Sequence, residues 1–285
     1  MRKYEVYEVG FLGRSLLMNS IQDDWGIDDV VISEIKSGSY KEAEALKWWL
    51  AMLATARPGA ICVDAGSYTG LYSLFAARER SDVRAVAIEA SSVTFGRLLQ
   101  NVLVNNFDIL INPNHVALSD TGGVAKLAHG YGVLAMASGE SLAPTYQVDH
   151  VEMVPATTMD ALLLQLPEAA VGAIGSKSSN ILPITSICAM KMDVEGVEFQ
   201  ALQGAQEILK RYQPPLVVEI LSDESWEQCS SLLFTLGYEQ VAKCDGLNYV
   251  FCGPKQKDEL LSAFAHINRG GPAVFSAVPF QPRKS

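Results

Sequence analysis

Long hydrophobic runs and a secretion signal are absent from this sequence. No apolar stretch approaches the roughly 20 residues that a membrane-spanning helix requires. The first residues, Met1 to Glu5, carry charges where a signal peptide would continue into an apolar segment. We therefore expect a soluble, cytoplasmic protein without a membrane partner.

Positive charge is scarce. The 285 residues include 22 Lys and Arg against 32 Asp and Glu, which gives a formal net charge of −10. Because nucleic-acid surfaces need clustered Lys and Arg, this balance argues against a nucleic-acid partner. A small neutral or cationic molecule fits the charge better, and the sequence leaves a homodimer open.

Cysteine spacing of the zinc-binding kind is also lacking. The sequence has five cysteines, an odd number, and most of them lie in apolar, strand-like runs. We expect buried, reduced thiols and no metal site built on them. They are Cys62, Cys188, Cys229, Cys244 and Cys252.

The chain has the composition and the pattern of an α/β protein. Apolar residues make up 49% of it, and from about residue 40 apolar runs of strand type alternate with segments of helical period. We predict a doubly wound, seven-stranded, mostly parallel sheet with helices on both faces. The predicted strands are 60–65, 84–89, 115–118, 186–192, 216–221, 238–243 and 247–252, the last two antiparallel, with a hairpin or excursion in 121–158. Apolar spacing marks helices at 46–53, 71–75, 95–103, 197–209 and 226–236.

Segments at both ends fall outside this alternating pattern. We divide the chain into an N-terminal extension at 1–39, which we interpret as a lid or substrate cover, a central domain at 40–253 and a C-terminal tail at 254–285. Residues 167–183 form a Gly- and Ser-bearing loop.

A glycine turn follows the first strand of the alternating pattern. Gly66 and Gly70 are four residues apart, which permits a tight strand-to-helix turn whose backbone can touch a ligand. The dinucleotide fingerprint fails here, because its second and third glycines would fall on Tyr68 and Leu71. No Gly-Lys-Ser/Thr follows either, so a phosphate-binding loop of the Walker type is also excluded.

An acidic residue ends the next strand, about 20 residues beyond the turn. A carboxylate at the position of Glu89 is the usual partner of ribose hydroxyls, because it can accept two hydrogen bonds. A ribose site next to a turn that cannot hold a pyrophosphate indicates a nucleoside ligand without phosphates. S-adenosylmethionine fits that description.

Further charged residues lie at the ends of the fourth and fifth strands of the central pattern. Lys191 and Asp193 lie two apart on a strand and therefore share a face, and Glu195 follows them. Glu219 lies inside an apolar run, where a carboxylate needs a partner or a function. Such a set could orient a hydroxyl group and accept its proton, or form a structural ion pair.

Taken together, these residues resemble the FkbM-type methyltransferases. The resemblance covers about residues 38 to 252, and its most specific part is the strand-to-helix block 191–198 followed by 202–205. The glycine turn is shared by many methyltransferases. The other matching blocks are 63–70, 88–90, 116–120, 157–162, 236–238 and 248–251.

The resemblance implies a class I methyltransferase fold and S-adenosylmethionine as the cofactor, with S-adenosylhomocysteine as its product. Asp193 would lie where the cofactor meets the methyl acceptor. This chain departs from the family turn Gly-Ala-Asn-x-Gly by carrying Tyr68 at the Asn position. The implied cofactor-binding residues are Asp64, Ala65, Gly66, Ser67, Tyr68, Thr69, Gly70, Glu89, Ala90, Ser91, Ala117, Leu118 and Asp193.

We expect an O-methyltransferase that acts on a hydroxyl group of a small molecule, such as a natural product or a sugar. Asp193 is the candidate base, with Lys191, Glu195 and Glu219 as further candidate catalytic residues. A divalent metal on Asp193 has no separate ligand cluster to support it, and we predict no metal site. Two alternatives remain, a methyltransferase acting on RNA or protein and a non-catalytic S-adenosylmethionine-binding module.

Overall fold

A computed structural model of the chain describes residues 4–21, 29–130, 133–137, 148–164, 184–270 and 274–281. The N-terminal segment forms an antiparallel pair, β1 (Tyr4–Phe11) and β2 (Arg14–Ile21), followed by α1 (Val30–Ser37). The predicted loop at 167–183 lies outside the described residues.

A seven-stranded sheet forms the centre of the fold. Its parallel strands are β3 (Ile61–Ala65), β4 (Arg84–Glu89), β5 (Ile111–His115), β10 (Ile187–Met192) and β11 (Leu216–Glu219), and β12 (Glu239–Cys244) and β13 (Asn248–Cys252) complete it. The strand order is β12-β13-β11-β10-β3-β4-β5, and β13 pairs antiparallel with both of its neighbours. This confirms the predicted class I methyltransferase fold with its antiparallel terminal pair.

Helices cover both faces of the sheet. They are α2 (Ala43–Ala54), α3 (Leu71–Glu79), α4 (Ser92–Val104), α5 (Met159–Leu164), α6 (Glu198–Gln203), α7 (Gln206–Tyr212) and α8 (Asp223–Thr235). The apolar side chains of α2 and α3 belong to one buried cluster, and those of α6, α7 and α8 to another. All five cysteines are buried and free, as predicted. None of the helices in the described ranges combines the length and the apolar content that crossing a bilayer requires.

The third strand of the central sheet is not where the apolar pattern predicted it. The strand predicted at 115–118 is in fact β5, which ends at His115, while Ala117–Leu118 forms the short strand β6 of a second sheet. β5 contains Asn-Pro-Asn, and it tolerates these residues because it lies at the edge of the large sheet. The second sheet has the order β6-β9-β7-β8, with β7 (Gly123–Gly130), β8 (Val133–Ala137) and β9 (Val148–Thr157), where the excursion was predicted.

The single helix predicted at 197–209 is wrong, because the structure divides it into α6 and α7. At Gly204 the chain passes so close to another segment that a Cβ atom would lie 2.1 Å from the carbonyl oxygen of Ser119. The second helix then begins afresh, and the carboxylate of Asp160 accepts hydrogen bonds from the amides of Glu207 and Ile208 in its first turn. β11 also ends at Glu219, two residues before the predicted end.

The two ends of the chain meet. After α9 (Lys257–Asn268), the strand β14 (Phe275–Pro279) pairs antiparallel with β1 and completes a three-stranded sheet, β14-β1-β2. The α9 helix packs on α2, where Trp48 and Phe264 stack with ring centroids 3.7 Å apart. The N-terminal and C-terminal segments thus share one sheet, whereas the role of 1–39 as a lid stays a prediction.

Candidate active site

A cavity that is open to solvent lies beyond the carboxyl ends of β3, β4 and β10. Ligands of doubly wound sheets bind at this edge. Its wall includes Val30, Val31 and Glu34 of α1, so the N-terminal segment takes part in the site.

The glycine turn brings the ends of β3 and β10 together. Gly66 has a φ of +74°, and a Cβ atom on it would lie 1.6 Å from the carbonyl oxygen of Asp193. The amides of Gly66 and Ser67 both donate to the carbonyl of Ile88 at 2.9 Å, which fixes the turn against β4. Only a residue without a side chain fits at Gly66.

Tyr68 stands at the position where the family turn has Asn. Its φ is +50°, in the left-handed region where Asn is enriched among residues other than Gly. Its hydroxyl lies 3.5 Å from Oδ2 of Asp29, and this carboxylate pairs at 2.7 Å with Arg97. The tyrosine therefore connects the turn to the residue that caps α1, which an asparagine side chain is too short to do.

Glu89 lies at the cavity wall and is 8% exposed. Its carboxylate accepts hydrogen bonds of 2.8 Å from the amides of Tyr68 and Ser91 and from the hydroxyl of Thr94. Burial raises its pKa to about 6, against the effect of these three donors. Because a carboxylate offers about four acceptor positions, capacity remains for a ligand hydroxyl.

Asp64 lies one strand away, in register with Lys191 on β10. Its Oδ2 accepts from the amide and the hydroxyl of Ser73, at 2.9 and 2.7 Å, whereas its Oδ1 is buried and has no hydrogen-bond partner among the described residues. Burial raises the pKa of Asp64, and the charge of Lys191 opposes that rise. A ligand with a donor group would satisfy the free oxygen.

Lys191 and Asp193 form a buried ion pair, with 2.6 Å between Nζ and Oδ2. Lys191 also lies 3.7 Å from Glu42 and 4.7 Å from the ring centroid of Tyr72. Burial works against its charge, but the carboxylates of Asp193 and Glu42 outweigh that effect and raise its pKa. For Asp193, burial is outweighed in turn by the charge of Lys191 and by a hydrogen bond with Glu219, so its pKa is lowered. Asp193 is therefore ionised.

Glu219 and Glu195 lie on different sides of Asp193. Glu219 is not part of the cavity wall; it hydrogen-bonds Asp193, and burial together with that neighbouring charge raises its pKa to about 9. Glu195 is solvent exposed at the cavity wall with a φ of +55°. Neighbouring protein atoms partly shield its carboxyl group from water, and this desolvation is the main reason why its pKa is raised to about 7. The negative charges of Asp193 and Glu198 contribute next.

Of the predicted cofactor-binding residues, most line the cavity and two lie behind its wall. Ala65 and Gly70 do not line the cavity: Ala65 accepts a hydrogen bond from the Asp193 amide, and Gly70 begins α3 with a φ of +91° against Leu98. The residues that do line it are Asp64, Gly66, Ser67, Tyr68, Thr69, Glu89, Ala90, Ser91, Ala117, Leu118 and Asp193.

Sequence reasoning missed part of the wall. Glu34, Tyr40 and Glu42 belong to the segment around the start of the central domain, and Tyr72 is on α3. Glu198 was also missed; it is 1% exposed and accepts from the amide of Gly196 at 2.9 Å, which holds the loop that carries Glu195. An acidic residue two positions after a glycine was the available sequence signal for Glu198. No local pattern distinguishes Glu42.

Unpartnered polar atoms concentrate at this cavity. Among the described residues, eleven buried side-chain oxygen or nitrogen atoms have no hydrogen-bond partner, and six of them belong to cavity-lining residues. Such atoms are costly in a folded protein unless a ligand or water satisfies them. The six are Asp64 Oδ1, Ser67 Oγ, Thr69 Oγ1, Tyr72 Oη, Ser91 Oγ and Asp193 Oδ1.

The cavity wall is acidic. Among the described residues that line it, six are Asp or Glu and one, Lys191, is basic. In the same part of the chain, no group of three or more His, Cys, Asp or Glu side chains is arranged to hold a metal ion. The carboxylates therefore face the cavity with little positive charge around them. They are Glu34, Glu42, Asp64, Glu89, Asp193 and Glu195.

Comparison with solved structures finds several methyltransferases. Methyltransferase FkbM from Methylobacillus flagellatus KT is 14% identical with a TM-score of 0.44, over 70% of this chain and 45% of that chain. Precorrin-6y C5,15-methyltransferase from Geobacter metallireducens GS-15 is 12% identical with a TM-score of 0.42, over 74% of this chain and 86% of that one. The N-terminal domain of human METTL16, in complex with SAH, is 14% identical with a TM-score of 0.39, over 73% and 67%.

No curated protein matches the chain. The present chain spans less than half of the Methylobacillus protein, at 45% of its length. The family model of the methyltransferase FkbM domain matches residues 64–249, from the strand that carries Asp64 to the last strand of the central sheet. The chain therefore belongs to the FkbM methyltransferase family.

Proposed function

We propose that this protein transfers the methyl group of S-adenosylmethionine to a hydroxyl group of a small molecule and releases S-adenosylhomocysteine. The observation that carries the proposal is the set of six unpartnered polar atoms around one cavity at the carboxyl edge of the sheet. They fit a ligand rich in hydrogen-bonding groups. When bound, the cofactor supplies an electrophilic methyl group on a positively charged sulfur, and acidic walls suit that charge.

The residues around the cavity offer a place for each part of the cofactor. Glu89 has acceptor capacity left for the ribose hydroxyls. Ala117 and Leu118 are buried apolar residues that suit the adenine face. Asp64 Oδ1 and the hydroxyl of Ser67 remain for the polar groups of the methionine part.

Asp193 is the group that we propose to contact the acceptor hydroxyl. Lys191 keeps its carboxylate ionised, and Oδ1 has no hydrogen-bond partner among the described residues. With the cofactor bound, the methyl carbon would leave the sulfur and bond to the acceptor oxygen, and Asp193 would accept the hydroxyl proton. Glu195, with a pKa of about 7 at the solvent-exposed wall, is suited to pass that proton to water.

Alignment supplies the rest of the rate. Holding two reactants in line contributes up to about 7–11 kcal/mol in well-oriented systems. Here Gly66 and Asp193 are in direct backbone contact, so the cofactor turn and the proposed base belong to one rigid unit. This arrangement favours catalysis over a purely binding role. The acidic wall also disfavours RNA as the acceptor, because phosphates would be repelled.

Calorimetry and a turnover assay test the proposal. We expect S-adenosylmethionine and S-adenosylhomocysteine to bind at one site per chain and NAD and ATP not to bind. With a panel of hydroxyl-bearing small molecules, Asp193→Asn should retain S-adenosylhomocysteine binding and lose at least a hundredfold in S-adenosylhomocysteine release. The exposed Asp258→Asn is the matched control and should behave as wild type.

Two outcomes would reject this function. Absence of S-adenosylmethionine binding would remove the cofactor assignment. Binding without methyl transfer to any acceptor of the panel would instead favour the non-catalytic binding module, and full activity of Asp193→Asn would remove the proposed base.

A further inference from the structure

We propose that the methyl acceptor carries an ammonium group, which binds at the end of the cavity nearest α1 and leaves a hydroxyl group to be methylated. This inference rests on the proposed function and names the class of its acceptor, an amino alcohol or amino sugar. The N-terminal chamber is the part of the cavity that the cofactor assignment leaves free, and it consists of Val30, Glu34, Tyr40, Glu42 and Tyr72.

The carboxylates of Glu34 and Glu42 are not fully neutralised by the positive charge that the described residues place near them. Lys191 lies 3.7 Å from Glu42 but only 2.6 Å from Asp193, so its single charge is shared between two acids. Burial, and after it the negative charge of Glu42, raises the pKa of Glu34, and Lys41 offsets this only in part. Two carboxylates that repel each other are stabilised by a cation placed between them.

A second observation comes from Tyr72. Its hydroxyl lines the cavity in a residue that is 4% exposed, and it lies near the carboxylate of Glu42 without a close hydrogen bond to any described residue. The ring of the same tyrosine already accommodates an ammonium group, because Lys191 Nζ lies 4.7 Å from its centroid. An aromatic ring with adjacent carboxylates is a typical environment for an ammonium group, and the hydroxyl offers it an acceptor.

The charge of the whole cavity leads to the same class of acceptor. Among the described residues, six acids and one lysine line it, and S-adenosylmethionine contributes one net positive charge through its sulfonium, since its ammonium and carboxylate cancel. A surplus of negative charge therefore remains after the cofactor binds. Acceptors that carry phosphate or carboxylate groups are disfavoured, and a cationic acceptor is attracted.

The ammonium group is a binding group and not the methylated atom. A protonated amine has no lone pair, so it cannot attack the methyl carbon. The neutral hydroxyl of the same molecule can do so while Asp193 accepts its proton. One product is a methyl ether with its ammonium group unchanged, and the other is S-adenosylhomocysteine.

Three probes of equal carbon skeleton and different charge test this inference: serinol, glycerol and glycerate. We would titrate each into the protein saturated with S-adenosylhomocysteine. Serinol should bind at least tenfold more tightly than glycerol, and glycerate should not bind. Glu34→Gln and Glu42→Gln should each reduce the preference for serinol at least threefold. Glu44→Gln removes the same charge at an exposed position outside the cavity wall and should leave the preference unchanged.

The readouts separate this inference from the function on which it rests. Equal affinity for serinol and glycerol, or no measurable binding of either, would overturn the proposed ammonium site, while S-adenosylhomocysteine binding would still support the cofactor site. The ammonium site would also be overturned if Glu34→Gln and Glu42→Gln weakened the binding of S-adenosylmethionine and left the binding of serinol unchanged. The two acids would then serve the cofactor. Failure of S-adenosylhomocysteine to bind the wild type would reject the proposed function itself.

Discussion

Gly66 lies so close to Asp193 that a Cβ atom on the glycine would be 1.6 Å from the aspartate carbonyl oxygen. The contact joins the turn after β3 to the loop after β10, and these two segments carry the proposed methionine site and the proposed base. The amide of Asp193 also donates to the carbonyl of Ala65 at 3.0 Å, so the two segments are held together by a hydrogen bond as well as by this contact. In the proposed function, the relative position of cofactor and acceptor therefore depends on the absence of a side chain at Gly66.

Gly66→Ala should separate these two segments. We expect at least a tenfold loss of S-adenosylhomocysteine affinity by calorimetry, together with a lower free energy of unfolding in urea. Gly59→Ala is the matched control, because Gly59 has a φ of +78° with nothing within 4 Å of the added Cβ. It should cost only the left-handed backbone strain, about 1–2 kcal/mol, without a change in affinity. Equal affinities for the two variants would contradict the role of the contact.

Removal of Arg97 should destabilise the N-terminal segment. Asp29 is 2% exposed and pairs with Arg97 at 2.7 Å while its carboxylate also caps α1. Arg97→Met leaves this buried charge unpaired, and we expect a loss of about 3–5 kcal/mol in the free energy of unfolding. Arg78→Met, on the exposed side of α3, should change it by less than about 0.5 kcal/mol.

The double variant Asp29→Asn, Arg97→Met tests the cause of that loss. Without the buried carboxylate, most of the lost stability should return, because Asn still caps the helix. A double variant that is no more stable than Arg97→Met would show that packing of the arginine chain is responsible.

The sequence was sufficient for those parts of the fold that local pattern decides. The strand β4 was predicted with its observed bounds, because an unbroken apolar run can only be buried in this fold class. The edge strand β5 was not, because its Asn-Pro-Asn core has no strand signal and pairing with β4 alone makes it a strand. The pairing of β14 with β1 joins opposite ends of the chain, and no local pattern encodes such a contact.

The candidate site shows the same division. Gly66, Glu89 and Asp193 were predicted because each ends or directly follows a strand, and the parallel sheet brings those positions to one edge. Glu42 was missed because it precedes a helix far along the chain from Lys191, and only the fold brings the two within 3.7 Å. In the sequence, Glu42 cannot be distinguished from an ordinary solvent-exposed acidic residue.

Glu219→Gln should change the pH dependence of stability. The pKa of Glu219 is raised from 4.5 to about 9, so between these values the folded protein holds one proton more than the unfolded chain. Stability from this group is thus present at low pH and is lost as pH rises, with a slope of about 1.4 kcal/mol per pH unit for one proton.

Because glutamine does not titrate, the free energy of unfolding of the variant should fall less steeply than that of the wild type between about pH 6 and 8. Urea unfolding at several pH values measures both slopes. Glu227→Gln, at an exposed position, should retain the wild-type slope. Parallel curves for Glu219→Gln and wild type would show that Glu219 is ionised in the folded protein.

Glu195 should make the preference for the charged cofactor depend on pH. Its pKa of about 7 means that it gains a negative charge at the cavity wall as pH rises through neutrality. That charge attracts the sulfonium of S-adenosylmethionine and has no such effect on the neutral sulfur of S-adenosylhomocysteine. Titrations by calorimetry should therefore show the ratio of the two affinities shifting towards S-adenosylmethionine between about pH 6 and 8. In Glu195→Gln the ratio should stay constant, while Glu227→Gln should follow the wild type. If the ratio shifted equally in Glu195→Gln, the titrating group would be another residue of the cavity wall. Glu89, with its pKa of about 6, would then be the next residue to replace.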